Sequence, residues 1–97
     1  MIVSNEPGYY KTGAYGIRIE NLQFVTGPAD IDGGERPMLG FEFLTLAPYE
    51  RRLINEILLS DVEREQINAY HARVLAEIGP LVEPEVAAWL ETACEPI

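Results

Sequence analysis

Ninety-seven residues, 47% of them apolar, suffice for one small domain with a modest core but not for a large enclosed catalytic cavity. Sixteen acidic against seven basic residues leave a net charge of −9, which repels phosphate backbones and anionic lipid surfaces and argues against nucleic acid or membrane as a partner. The start, Met1-Ile2-Val3-Ser4-Asn5-Glu6, shows no basic leader and apolar run, no eighteen consecutive apolar residues occur, and Cys94 has no cysteine partner, so a soluble cytoplasmic protein is expected.

From Met1 to about Thr26 two β-type runs flank Lys11-Thr12-Gly13-Ala14, a polar, glycine-containing turn, and predict a hairpin. Residues 27–37 (GPADIDGGERP) carry glycines, prolines and acids without apolar periodicity, the composition of a solvent-facing loop. Phe41, Phe43 and Thr45 alternate with Glu42, Leu44 and Leu46, predicting a strand that is apolar on both faces, covered on both sides and stopped by Pro48. Ser60-Asp61-Val62-Glu63 has the form of a capping box, in which serine and glutamate satisfy the unpaired N–H groups of a helix start. Ile67, Tyr70, Val74 and Ile78 then follow at helical steps, and Gly79-Pro80 predicts a left-handed cap that ends the helix. Pro84 fits the first turn of a second helix, with Val86, Trp89, Leu90 and Ala93 as its apolar stripe until Pro96. The fold class is therefore α+β: an antiparallel hairpin, a further strand and two C-terminal helices.

If the hairpin turn is centred on Gly13, residues whose numbers sum to about 26 face each other and Glu6 lies opposite Glu20. Opposed side chains of an antiparallel pair stand about 4.5–5.5 Å apart at Cβ and point to one face, so two like charges converge. A cation between them reverses the sign of that interaction, and carboxylate oxygens on neighbouring strands suit divalent manganese, cobalt or zinc. Arg18 shares the face of Glu20 by strand alternation, and either neutralises the pair itself or orients a ligand from behind. Spacing alone leaves a second reading open, since two acids on a small hairpin also make an ordinary solvated face.

The strings Ser4-Asn5-Glu6-Pro7-Gly8-Tyr9-Tyr10 and Gly16-Ile17-Arg18-Ile19-Glu20-Asn21 resemble the closing metal-ligand motifs of the M24 metallopeptidases of pita-bread fold, in their aminopeptidase P branch. In that family two aspartates, a histidine and two glutamates hold two divalent ions. The resemblance implies that Glu6 and Glu20 are the last two ligands, Glu6 beside the reactive water and Glu20 bridging both ions, with Arg18 supporting an aspartate ligand. It also implies a two-metal hydrolysis that releases the first residue of peptides with proline in second position, with manganese favoured and zinc or cobalt as alternatives. Tyr9 and Tyr10, inside the first motif, either pack across the strands or border the substrate pocket.

The family's two aspartates and its histidine-containing segment are absent from this sequence. The chain is thus expected to be a fragment that binds no metal tightly and is inactive alone. The later strings FLTLAP, LLSDVEREQINAYHARV and AWLETACEPI resemble, more loosely, the C-terminal extension of the longer three-domain members. Residues 1–47 are accordingly expected to end the pita-bread catalytic domain and residues 48–97 to form a helical extension. The extension is associated with dimer contacts in that group, so Trp89 and the helix stripes are expected to pack between subunits, and exposed sheet edges to favour self-association. The competing hypothesis is a non-catalytic dimerisation or scaffold module that retains the two glutamates.

Other reactive side chains read as structural. His71 stands mid-helix without a second ligand except acids at helical spacing, and Cys94 has no adjacent base. Arg51-Arg52 is too short for a nucleic-acid stripe and is expected to be solvated or paired with Glu50.

Overall fold

The turn at Lys11–Ala14 closes as expected: Ala14 N–H donates to Lys11 O at 3.0 Å and Gly13 adopts φ +72°, where a Cβ is disfavoured. A computed structural model describes all 97 residues, in two units, Met1–Thr45 and Leu46–Ile97. In the first unit each arm of the hairpin is divided into two strands. Those near the turn, β2 (Gly8–Lys11) and β3 (Tyr15–Arg18), form one antiparallel ladder. Those away from it, β1 (Ile2–Asn5) and β4 (Asn21–Ala29), form another, which β5 (Met38–Phe43) extends in the order β1-β4-β5. Pro7, which has no N–H to give, lies at the interruption, and Ile19 N–H donates to Pro7 O at 3.0 Å across it. One register therefore runs through both ladders, from Ile2 opposite Phe24 and Asn5 opposite Asn21 to Gly8 opposite Arg18 and Lys11 opposite Tyr15.

Two expectations are corrected here. The loop predicted at 27–37 begins later, because β4 continues through Gly27 and Pro28 to Ala29; the register shift between Thr26 and Ala29 lets the strand carry a proline. The strand predicted to be covered on both sides and to run to Pro48 ends at Phe43, with Leu39 and Phe41 exposed. Its end has a local cause: Leu44 N–H and Thr45 N–H both donate to Leu22 O, and Leu22 N–H turns to Thr45 Oγ1 at 2.9 Å. The three-stranded sheet carries no second layer within its unit.

The second unit starts with two short 3-10 turns, Arg51–Leu53 capped by Glu50 and Glu56–Leu58 capped by Asn55. Helix α1 (Asp61–Ile78) opens with the predicted capping box, Glu63 N–H donating to Ser60 Oγ and Ser60 N–H to the Glu63 carboxylate. It buries Tyr70, His71 and Val74. Gly79 is not left-handed: at φ −50°, ψ −45° it continues into a 3-10 turn, Gly79–Leu81. A residue before proline avoids the helical region because its side chain clashes with the proline ring, and glycine evades that clash.

Helix α2 (Pro84–Ala93) begins with Pro84 in its first turn. Its buried side matches the predicted stripe only in part. Leu90 of the stripe is buried and Ala93 half-buried, joined by half-buried Ala87 and the buried Cys94 that follows the helix, whereas Val86 and Trp89 are exposed. Asn68 of α1 clasps the last residue, donating to Ile97 O and accepting from Ile97 N–H. Neither helix is long and apolar enough to cross a membrane.

Candidate metal centre

Alternation puts Ser4, Gly8 and Tyr10 on one side of the first arm, against Leu22, Arg18 and Gly16 of the second; Glu6 and Glu20 lie in the gap between the two ladders, where the same register, carried on from the flanking pairs, sets them opposite each other. The side chains agree. Arg18 Nη1 lies 3.7 Å from Glu6 Oε1 and Arg18 Nε lies 3.8 Å from Glu20 Oε2, so both carboxylates converge on one guanidinium. Ser4, two residues before Glu6 and on the same face, donates its hydroxyl to Glu6 Oε2. Both carboxylates remain partly open to solvent, with side-chain exposures of 41% for Glu6 and 48% for Glu20.

The glycine of the first motif has a part in this. A Cβ on Gly8 would stand 2.9 Å from Arg18 Cγ, 2.9 Å from Ile17 O and 3.1 Å from the Tyr10 hydroxyl. Bare backbone at position 8 therefore lets the Arg18 stem lie across the strand toward Glu6. Gly16 does the same for Tyr10, whose Cδ1 would be 2.7 Å from a Cβ there. The two tyrosines of the motif part company: Tyr10 shares the acids' face, while Tyr9 points to the other and meets Tyr15 with ring centroids 6.0 Å apart.

The donor set fits part of a metal centre. Two carboxylates from the two arms of the hairpin already face one positive group, the arrangement a divalent cation needs from oxygen ligands. No cluster of three or more histidine, cysteine, aspartate or glutamate side chains that could hold a metal ion is present, and Glu6 and Glu20 stand as two candidate donors.

The remaining titratable groups serve structure. His71 is fully buried, its Nε2 accepting from Tyr49 N–H at 3.0 Å, and burial, helped by nearby Arg51, pushes its pKa down. Tyr70 accepts from Ala47 N–H and donates to Ala47 O, stacks on Tyr49 and is pushed up by burial. The Arg52 side chain, donating to Glu50, lowers that carboxyl to about 2, while Arg51 reaches Thr92 O, Pro96 O and Glu95. Burial raises the Cys94 thiol. A cavity of about 350 Å³, bordered by Pro48, Tyr49, Arg51 and Trp89, lies in the helical unit and holds none of the predicted ligands.

Sequence reasoning missed the Ser4 hydroxyl and the space at Gly8. Both were in reach of the register: alternation puts Ser4 beside Glu6, and the sum of 26 puts Gly8 opposite Arg18.

Comparison with known proteins agrees with the motifs. Residues 37–97 match the family described as the C-terminal region of peptidase M24. A probable Xaa-Pro aminopeptidase P of Arthroderma benhamiae is 41% identical over 99 residues, covering 99% of this chain and 14% of that protein. One of Coprinopsis cinerea is 41% identical over 100 residues, covering the whole chain and 16% of the relative. The crystal structure of X-prolyl aminopeptidase from Caenorhabditis elegans, described as a cytosolic enzyme with a di-nuclear active site, superposes with a TM-score of 0.90 at 36% identity, over 99% of this chain and 16% of that one. The chain thus spans about one-sixth of the length of the proteins it matches. With its antiparallel strands and two C-terminal helices superposing on that fold, the chain belongs to the M24 peptidase family and corresponds to its C-terminal region.

Proposed function

We propose that this chain is the closing segment of a two-metal Xaa-Pro aminopeptidase, in which residues 1–47 end the catalytic domain and residues 48–97 form a helical extension. The observation that carries the proposal is the convergence of Glu6 and Glu20 on one cationic group at the break between the two ladders of the hairpin. In the complete site Glu6 and Glu20 are two of five ligands to a pair of divalent ions, manganese by preference for so carboxylate-rich a shell. The bound ions supply acidification of water and polarisation of the scissile carbonyl. The Ser4 hydroxyl donates to Glu6 Oε2, which turns Oε1 toward Arg18. Arg18 supports an aspartate ligand of the complete site, and Tyr10, on the acids' face, borders the peptide substrate, whose second residue is proline. The superposed relative is a cytosolic enzyme, and the same location is proposed here. Exposed Trp89, at 62%, is the proposed contact in a homodimer.

Alone the chain lacks three ligands and is proposed to be inactive. The test is to express it fused behind a catalytic half from a relative that supplies the two aspartates and the histidine, and to assay Xaa-Pro peptides with Mn²⁺. Metal-dependent release of the first residue, lost in Glu6→Gln and in Glu20→Gln, is expected. A fusion whose turnover is indifferent to both substitutions refutes the assignment and leaves the scaffold-module reading.

A further inference from the structure

We infer that Arg18 is a built-in counter-ion that competes with metal: in the cation-free chain its guanidinium takes the place between Glu6 and Glu20, and a cation must displace it to bind. The inference rests on the metal-site reading above and adds a role for Arg18 that the reading does not require. Two carboxylates that converge at the break between the two ladders repel, and the chain relieves that repulsion with its own positive charge. At 3.7 and 3.8 Å the two contacts are ion pairs and lie beyond hydrogen-bond range, so no rigid fork holds the guanidinium in place.

Three further features aim it there. Gly8 leaves the path for the Arg18 stem, the Ser4 hydroxyl turns Glu6 so that Oε1 faces the guanidinium, and the pairing of Gly8 with Arg18 fixes the position along the strand. The Arg18 side chain is itself 52% exposed, so it has solvent to swing into when displaced. An arginine that merely stabilised the strands would leave cation affinity unchanged when removed. An arginine that competes would weaken affinity while present.

Two exposed ion pairs correspond to a factor of about 3 to 10 in apparent cation affinity. The experiment titrates the 97-residue chain with Mn²⁺ and follows paramagnetic broadening of its resonances, which reports weak binding and its location together. Wild type, Arg18→Met and Arg18→Gln are compared, each also with Glu6→Gln. Removal of the arginine charge is expected to tighten Mn²⁺ binding about 3- to 10-fold, with broadening centred on Glu6 and Glu20 that Glu6→Gln abolishes. If Met unpairs the strands, seen in the amide shifts of Gly8 and Ile17, the polar Gln variant carries the comparison. Unchanged affinity with broadening still centred on the two glutamates overturns the competition while leaving them as ligands. Broadening that ignores both glutamates in every variant overturns the metal reading and the competition with it.

Discussion

In the helical unit Tyr70, His71, Val74, Leu90 and Cys94 are at most 6% exposed, whereas in the β unit Asn21 alone is that buried and Ile2, Leu39 and Phe41 stand 62–64% exposed. The helices are thus held by side-chain burial around one small core. The strands are held by backbone ladders, two left-handed glycines, Gly13 and Gly33, in the turns, and cross-strand packing over Gly8 and Gly16. The difference teaches where the proposed chemistry sits. Glu6 and Glu20 belong to the unit with the least core of its own, and the ladder register, rather than packing, brings them together. The same unit displays exposed apolar side chains on its sheet, Ile2, Leu39 and Phe41 among them.

Core deletion probes this contrast most strongly. Leu90→Ala is expected to cost about 2–5 kcal/mol in urea unfolding followed by helical circular dichroism, since it empties space beside buried neighbours. Leu39→Ala, an identical truncation on the open sheet, is expected to change stability by less than about 0.5 kcal/mol. Equal losses would mean that the sheet face is buried in solution, as self-association through it would bring about. Next in size is Gly13→Ala, which forces a Cβ into φ +72° and is expected to cost about 1–2 kcal/mol. Amide exchange should quicken across β2 and β3 while α1 keeps its protection. If α1 exchange rises equally, the two units unfold as one.

How far the sequence foretold each unit follows the same division. The hairpin register was legible because a glycine turn and a period of two determine every pairing by arithmetic, so Glu6 and Glu20 could be set opposite each other from residue numbers. The break at Pro7 and the bulge at Pro28 were not, because a missing N–H interrupts a ladder without stating where pairing resumes. In the helical unit the capping box was readable since it is local, four residues satisfying one another. The buried side of α2 was readable only in part: the stripe held Leu90 and Ala93 correctly, but Trp89 and Val86 fit it as well as Ala87 and Cys94 do, and only the tertiary partner decides which side is covered. The Ser4 hydroxyl on Glu6 was in reach of the same alternation, which puts the two side chains on one face.

The capping box offers a smaller test, confined to the helical unit. Ser60→Ala removes the acceptor for Glu63 N–H and is expected to cost about 1 kcal/mol, read as a lowered melting temperature of the helical signal. Exchange within β2 and β3 should not respond. A response there would couple the units and blur the contrast between them.

The smallest effect concerns pH, and it too should be confined to the helices. Unprotonated His71 Nε2 accepts Tyr49 N–H, and the ring lies fully buried against Tyr49 and Tyr70 with Arg51 adding positive charge nearby. Protonation would put a proton where the ring now accepts one, and would place charge in a dry site. The folded pKa is therefore below the ordinary value of 6.5, so the unfolded chain binds the extra proton first. Stability from this group is complete above about pH 6.5 and declines as acid carries the pH down toward the folded pKa. Denaturant titrations of the helical signal between about pH 7 and 5 should show that decline. His71→Gln retains a side-chain acceptor but does not titrate, so it should flatten the profile whatever it costs in stability. A profile equally steep in His71→Gln would assign the acid sensitivity to the carboxylates instead, and the Arg52-held Glu50, lowered to about 2, titrates too far below this window to be its source.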